Sequence, residues 1–429
     1  MMYVAEFTPV SGLVFRDARP FQAGQDTVSA NIDFPPPPEA FWSALNRSLA
    51  ALGQRGILRR SRVRAYYLAD KDGPLLPAMA DLFTVTPADD LYGEETFRIL
   101  RPHKVLSRIA RGPEQLELLW LGEQVAHSRP CERSFLRPDS FLCYLLDEVQ
   151  ELTRFGDLVS IKSLFYEEQR TGVQLSGRNA QEGRLYTEKI VFPNIDRQVR
   201  FCLVFDTPSG LKEESALADR LVHLGGEGKL ARLRIFKTDG QKLPVLPSRA
   251  REQVFSKVIN HGSDGQTFRL KLCLMSPAVY SARKELLWCL GTRTPSWRPF
   301  WMHNASNGWC RPIFDSQSYR LRLVAAAAGK AVPLGAWDRA RQIPKPLHRC
   351  QPAGAVYYLE LEPRNGTVPE KALNDFFDDF WLGTLLVRTR PAKAQTNRKG
   401  QTSGRSRDTI SSHGLRGFGW TTIGVWNYA

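Results

Sequence analysis

Histidine and cysteine carry the broadest chemistry in this chain, and their spacing argues against the simple sites. His103, His127, His223, His261, His303, His348 and His413 are scattered. None lies four residues from another, the spacing that sets two imidazoles on one helix face for a metal, and none stands in a nucleophile motif. Cys131, Cys143, Cys202, Cys273, Cys289, Cys310 and Cys350 never come as Cys-x-x-Cys, so no structural metal site is expected. Asp378 and Asp379 are adjacent carboxylates, but on a Phe-rich helical pattern they read as its solvated face. A Walker loop and a dinucleotide fingerprint after a strand are both missing. Local sequence therefore gives no positive case for an enzyme, and no catalytic residue is assigned.

Arginine and glycine say more. The chain has 59 Lys and Arg against 44 Asp and Glu, a formal net charge of +15. Most of the excess is Arg, whose planar fork matches phosphates and stacks on bases, so a polyanion such as nucleic acid is the natural partner. Scattered basic surface and an anionic membrane are the alternatives on charge alone. Residues 15–21 join Phe15, Arg16, Arg19 and Phe21 around Asp17 and Pro20. Arginine can hold a phosphate there while phenylalanine offers a stacking plane; an Arg-Asp pair fastening a loop would look the same. Residues 388–416 carry eight Lys or Arg and one acid, Asp408, among Ser, Thr, Gln and Gly. That composition cannot offset its own ordering entropy, which predicts a basic flexible loop.

These segments need elements to position them. The pattern predicts a strand at 2–7, a long loop ending in Pro35–Pro38, and a helix from Pro38 to Gly53 with Trp42, Leu45, Leu49 and Leu52 on one face. Basic residues Arg55, Arg59, Arg60, Arg62 and Arg64 follow it. Residues 70–156, punctuated by prolines, read as an insertion. Strands are then expected at 158–166 and 199–205, a hairpin arm at 184–192, a helix at 212–224, and a strand at 230–236. With the insertion and hairpin set aside the order is β-α-β-β-α-β, the ferredoxin-like arrangement, whose sheet keeps one face free for a single strand of RNA. The order repeats with strands at 268–274, 319–326, 355–361 and 420–426 and helices at 277–290 and 369–382. The fold class is thus α+β: a ferredoxin-like domain over 1–240 and a second over 265–429. An odd cysteine count without a leader segment fits a reducing cytoplasm, and no apolar stretch approaches the ~20 residues that span a bilayer.

Six motifs in order carry a resemblance. Phe15 to Phe21 with Gly24 and the proline run comes first, then Gly73-Pro74-Leu75-Leu76-Pro77 with Asp81-Leu82. Arg170-Thr171-Gly172-Val173 with Gly183-Arg184-Leu185-Tyr186 follows, and then Gly225-Gly226-Glu227-Gly228-Lys229. The last two are Pro344-Lys345-Pro346 with Pro352 to Tyr358, and Gly417-Phe418-Gly419-Trp420 with Gly424-Val425-Trp426. Together they resemble the RAMP-superfamily subunit of type III-B CRISPR effector (Cmr) complexes that binds the crRNA 5′ handle. The resemblance implies a non-catalytic scaffold for antiviral defence, without cofactor. It would grip that handle and dock on the large polymerase-cyclase subunit and the first backbone RAMP subunit. The RNA-contacting set it implies is Phe15, Arg16, Arg19, Phe21, Arg170, Gly172, Gly225, Gly226, Lys229, Lys345, Arg349, Arg416, Gly417 and Gly419. Its rival is an endoribonuclease of the same superfamily that processes CRISPR precursor transcripts, with His348 or His413 as general base. A general single-strand RNA chaperone fits the charge but not the ordered motifs.

Overall fold

The structure is a computed structural model. It describes the chain apart from residues 16–28, 31–33, 88–94, 107–116, 123–124, 153, 177–178, 209, 212–218, 239–244, 262, 265–266, 280–301, 305–309, 313–317, 331, 335–336, 339–342, 345–347, 365, 384–416 and 429. The fold is mixed α+β, with mostly antiparallel sheets and few helices.

The first half builds one large antiparallel sheet. Its strands in chain order are β1 (Met2–Pro9), β2 (Arg62–Asp70), β3 (Gly73–Pro77), β4 (Ser134–Leu136) and β5 (Leu158–Ser160). A hairpin of β6 (Phe165–Ser176) and β7 (Asn179–Pro193) intervenes. Then come β8 (Arg200–Asp206), β9 (Arg220–His223) and β10 (Leu230–Thr238). In space the sheet runs β5-β4-β3-β2-β8-β1-β10-β9. Helix α1 (Pro38–Ala51) packs one face with Phe41, Trp42, Leu45 and Leu49 buried, as the 3–4 spacing predicts. Pro38 fits its first position because that N–H has no helical acceptor.

The second half has a seven-stranded sheet whose core strands, β11 (Thr267–Leu274), β12 (Tyr319–Ala327), β13 (Val356–Pro363) and β14 (Thr421–Val425), run in the order β14-β11-β13-β12. Helices α3 (Ala250–His261) and α4 (Pro369–Phe380) belong with this sheet, Phe255 meeting Phe377 edge-on at 5.2 Å and Phe376 meeting Tyr319 at 5.5 Å. Asp378 and Asp379 lie on the exposed side of α4, where Arg251 pairs with one and the Tyr319 hydroxyl donates to the other. Counted within each half, the core strands β1, β2, β8, β10 and β11, β12, β13, β14 lie in the same spatial order, fourth-first-third-second.

Four expectations need correcting. The second core strand of the first half is Arg62–Asp70, not 158–166, which splits into β5, a single turn at Ile161–Leu164 and the start of β6. Arg62 and Arg64, read as residues trailing the helix, alternate with Val63 and Ala65, which face the core. Where a helix is expected over 212–224, Arg220–His223 is a strand with Leu221 62% exposed; 212–218 lie outside the described residues. The helix expected over 277–290 begins instead as an extended bridge at Ala278–Val279, and its remainder is likewise outside. Finally, the reverse face of the first sheet is not free. Val4, Cys202 and Val204 point into a hydrophobic cluster that also holds Leu270, Leu272, Tyr357 and Ile423 of the second sheet.

The 70–156 stretch makes that junction. Its β3 and β4 extend the first sheet, and helix α2 (Pro138–Leu145) buries Phe141, Tyr144 and Leu145 in the shared cluster. Asp81 is wholly buried there, accepting hydrogen bonds from Tyr144 Oη at 2.7 Å and Tyr358 Oη at 2.7 Å. Burial pushes its carboxyl above the usual range, opposed by the Lys271 charge and the two phenols. Lys271 Nζ sits 3.7 Å from the Tyr144 ring centre. Burial also pushes the neighbouring Cys273 thiol up to about 12.

Candidate RNA interface

Two of the six motifs meet at one end of the first sheet, and the base of the hairpin that carries a third joins them. After β1 the chain turns across the hairpin: Leu13 N donates to Val191 O at 2.7 Å and Val191 N returns to Leu13 O at 2.9 Å. Val14 then lies on the turn between β9 and β10, where Gly226 N donates to Val14 O at 2.8 Å. Gly225 has φ +82°, and a Cβ placed on it would stand 2.5 Å from Val14 O, so only glycine fits. The turn closes on itself through Lys229 N to Gly226 O, leaving the half-buried Lys229 at its edge. Phe15 is buried against Phe41 of α1 at 6.3 Å. The clasp therefore fixes where the loop leaves the sheet. Arg16, Arg19 and Phe21, the residues that would reach an RNA from it, lie outside the described residues.

The hairpin base adds an exposed aromatic stack beside this clasp. Tyr166, 57% exposed, lies nearly parallel to Phe192, with ring centres 5.2 Å apart and planes 7° apart. The Arg170 guanidinium lies 5.8 Å from the Phe192 ring on the same face and donates from Nε to Glu168 at 2.7 Å. That hydrogen bond holds the Glu168 carboxyl below its usual range. Gly172, half-buried, follows two residues on, paired with Tyr186. A parallel aromatic pair with an arginine beside it is a surface on which bases stack and phosphates find charge.

The remaining motifs go elsewhere. Gly417 is buried with φ +92°; a Cβ there would stand 2.7 Å from Val63 Cγ1, and its carbonyl accepts from Ser276 Oγ at 2.7 Å. Gly419 donates its N–H to Pro277 O. Both fasten the entry to β14 beside the start of α1. Gly354, φ +90°, lets Ala80 N reach its carbonyl at 2.8 Å, while a Cβ would stand 2.8 Å from Ala78 O. Pro35–Pro37, Pro77 and Pro352–Gly354 surround a mainly apolar crevice of about 500 Å³ at this junction. Arg349 lies in the strand His348–Gln351, opposite Pro333; Lys345 and Arg416 lie outside the described residues. Close approach of one stretch of chain to another thus accounts for glycine at 354 and 417.

Among the described residues no group of three His, Cys, Asp or Glu is placed to hold a metal ion, and no helix is long and apolar enough to cross a membrane. Cys131, Cys143, Cys202, Cys273 and Cys350 are not joined in disulfides.

With this geometry in place, comparison with known proteins gives one decisive match. The family model CRISPR-associated protein (Cas_Cmr3) matches residues 6–376. This chain belongs to the Cas_Cmr3 family. The match spans the clasp, the hairpin and both sheets short of β14. No curated protein matches the chain. Solved structures that it resembles include a chain of the type III-B Cmr-beta complex bound to cognate target RNA, at 12% identity and TM-score 0.42, over 83% of this chain and 86% of that one. A chain of the same complex with AMPPnP gives 13% and 0.41 over 83% and 86%. A chain of a Csm3-Csm4 subcomplex of the type III-A interference complex gives 12% and 0.29 over 86% and 94%.

Proposed function

We propose that this Cas_Cmr3 protein is a non-catalytic subunit of a type III-B CRISPR effector complex, one that grips the 5′ handle of the crRNA. In this reading it docks on the large polymerase-cyclase subunit and the first backbone subunit. The observation that carries it is the convergence, in a chain of this family, of Phe15, the Gly225–Gly226 turn and the Arg170-bearing hairpin at one end of one sheet. A short fixed clasp feeding a loop with Arg16 and Arg19, beside an exposed aromatic stack, suits an RNA end held by shape and charge. The recurring strand order supports two ferredoxin-like units, over 1–240 and 265–429.

The test is to purify the protein from cells carrying the rest of the system and sequence the 5′ ends of the RNA that comes with it. A uniform repeat-derived handle is expected; heterogeneous ends would favour a general RNA chaperone and overturn the assignment. The purified protein alone should leave a precursor CRISPR transcript intact with and without divalent metal. Specific cleavage that disappears in His348→Ala or His413→Ala would make it the processing endoribonuclease instead.

A further inference from the structure

One sheet face with two outward arginines is used by none of the six motifs. Alternation along β10 buries Ala231, Leu233 and Ile235 and turns Arg232, Arg234 and Phe236 outward. Cross-strand register sets Arg232 between Leu221 of β9 and Thr8 of β1, Arg234 beside Glu6, and Phe236 beside Val4. Val4 is sealed by the shared cluster, but β10 lies one strand beyond it, so Phe236 stays 44% exposed. The result is an open ledge beside the junction of the two halves. It begins at the Gly225–Lys229 turn that holds the first loop, so its near end adjoins the clasp.

We propose that β10 carries an extended single strand of RNA along this ledge, with a base stacked on Phe236 and phosphates met by Arg232 and Arg234. The proposal rests on the RNA-holding reading above and extends it to a strand and a face outside the implied contact set. Side chains two apart on a strand lie ~7 Å from each other, a spacing that follows the phosphates of an extended strand. Arg232 pairs at 2.9 Å with Asp219, both more than half exposed, and such a pair exchanges readily for a phosphate. Two guanidiniums point outward on this face against Asp219 and Glu6, while Lys229 and Lys237, at the strand ends, fall on the other alternation; continuity with the clasp favours RNA over a protein partner. Exposed Phe236, next to Arg234 on this face, provides a stacking plane that tolerates any base.

The experiment measures full-length protein binding to a fluorescein-labelled 15-nucleotide oligouridylate at several salt concentrations. Phe236→Ala should weaken binding by roughly five- to a hundredfold and leave the salt slope unchanged, while Phe236→Trp restores it. The double change Arg232→Ala, Arg234→Ala should lower the slope by about 0.7 for each lost contact. Failure of the unaltered protein to bind would sink the ledge proposal, while the RNA-holding reading stands or falls on the 5′ ends of the RNA that co-purifies. If the unaltered protein binds and all three variants bind equally well, the ledge proposal alone falls. It falls too if the variants keep their RNA affinity but lose a co-purifying protein subunit, which would make the ledge a protein-docking face.

Discussion

Asp70 shows how one residue ties the 70–156 stretch to the first sheet. Its side chain is fully buried at the end of β2, where Arg137 Nη1 and Nη2 donate to its two oxygens at 2.7 and 2.8 Å. Asp72 N adds a third bond, and Arg197 stands 3.9 Å away. Burial pushes this carboxyl up, but the arginine fork and the backbone donor together outweigh it and leave it below the usual range. A lowered folded-state value means that its contribution is present above the unfolded value near ~4 and is lost as pH falls through the folded one. Asp70→Asn should therefore cost about 2–3 kcal/mol at neutral pH, since it breaks a charged fork and leaves Arg137 only the longer contacts to Asp72 and the Gly73 carbonyl. The gap between parent and variant in urea unfolding should narrow below pH ~4. A gap independent of pH would assign the cost to packing. Neither Asp70 nor Arg137 was legible as a pair, because 67 residues separate them and only the antiparallel return of β4 brings them together.

At the scale of elements, legibility followed local periodicity. Strands β1, β8, β10, β11, β12 and β13, helix α1 and helix α4 stand where their alternation or 3–4 spacing predicts. Helix α3 was missed although Val254, Phe255, Val258 and Ile259 carry its pattern, and β2 was masked by its arginines. The glycine turn between β9 and β10 was visible as a motif, but its partner was not, since Val14 is over 200 residues away in sequence. This pairing makes the two adjacent glycines unequal. Gly225→Ala forces a methyl to 2.5 Å from a backbone oxygen at φ +82°, and should cost roughly 1–3 kcal/mol. At Gly226 the nearest atom to an added Cβ is 3.6 Å away, so Gly226→Ala should stay within about 1 kcal/mol. Thermal unfolding of the two variants checks the contrast. Equal losses would mean that the clasp does not depend on the close approach of Val14.

The whole molecule carries a formal charge of +15, and its RNA contacts should divide by how that charge is held. Arg170 is anchored on a strand by Glu168, and Arg232 and Arg234 stand at fixed register on β10. The eight basic residues of 388–416, outside the described residues, occur in a composition with almost nothing to bury, so the sequence predicts that they meet phosphates chiefly as charge. Fixed donors read the shape of an RNA end; charge in a low-complexity segment reads only that it is a polyanion. Changing Arg398, Lys399, Arg405 and Arg407 together to Gln should therefore weaken a repeat-derived handle and a scrambled RNA of equal length by the same factor. It should also flatten the dependence of log affinity on log salt, by up to about 0.7 per lost single-strand contact. Preference for the handle should survive, because the clasp and the hairpin are untouched. Loss of that preference with an unchanged salt slope would mean that the segment reads the RNA specifically, and would overturn this division of labour between scaffold and charge.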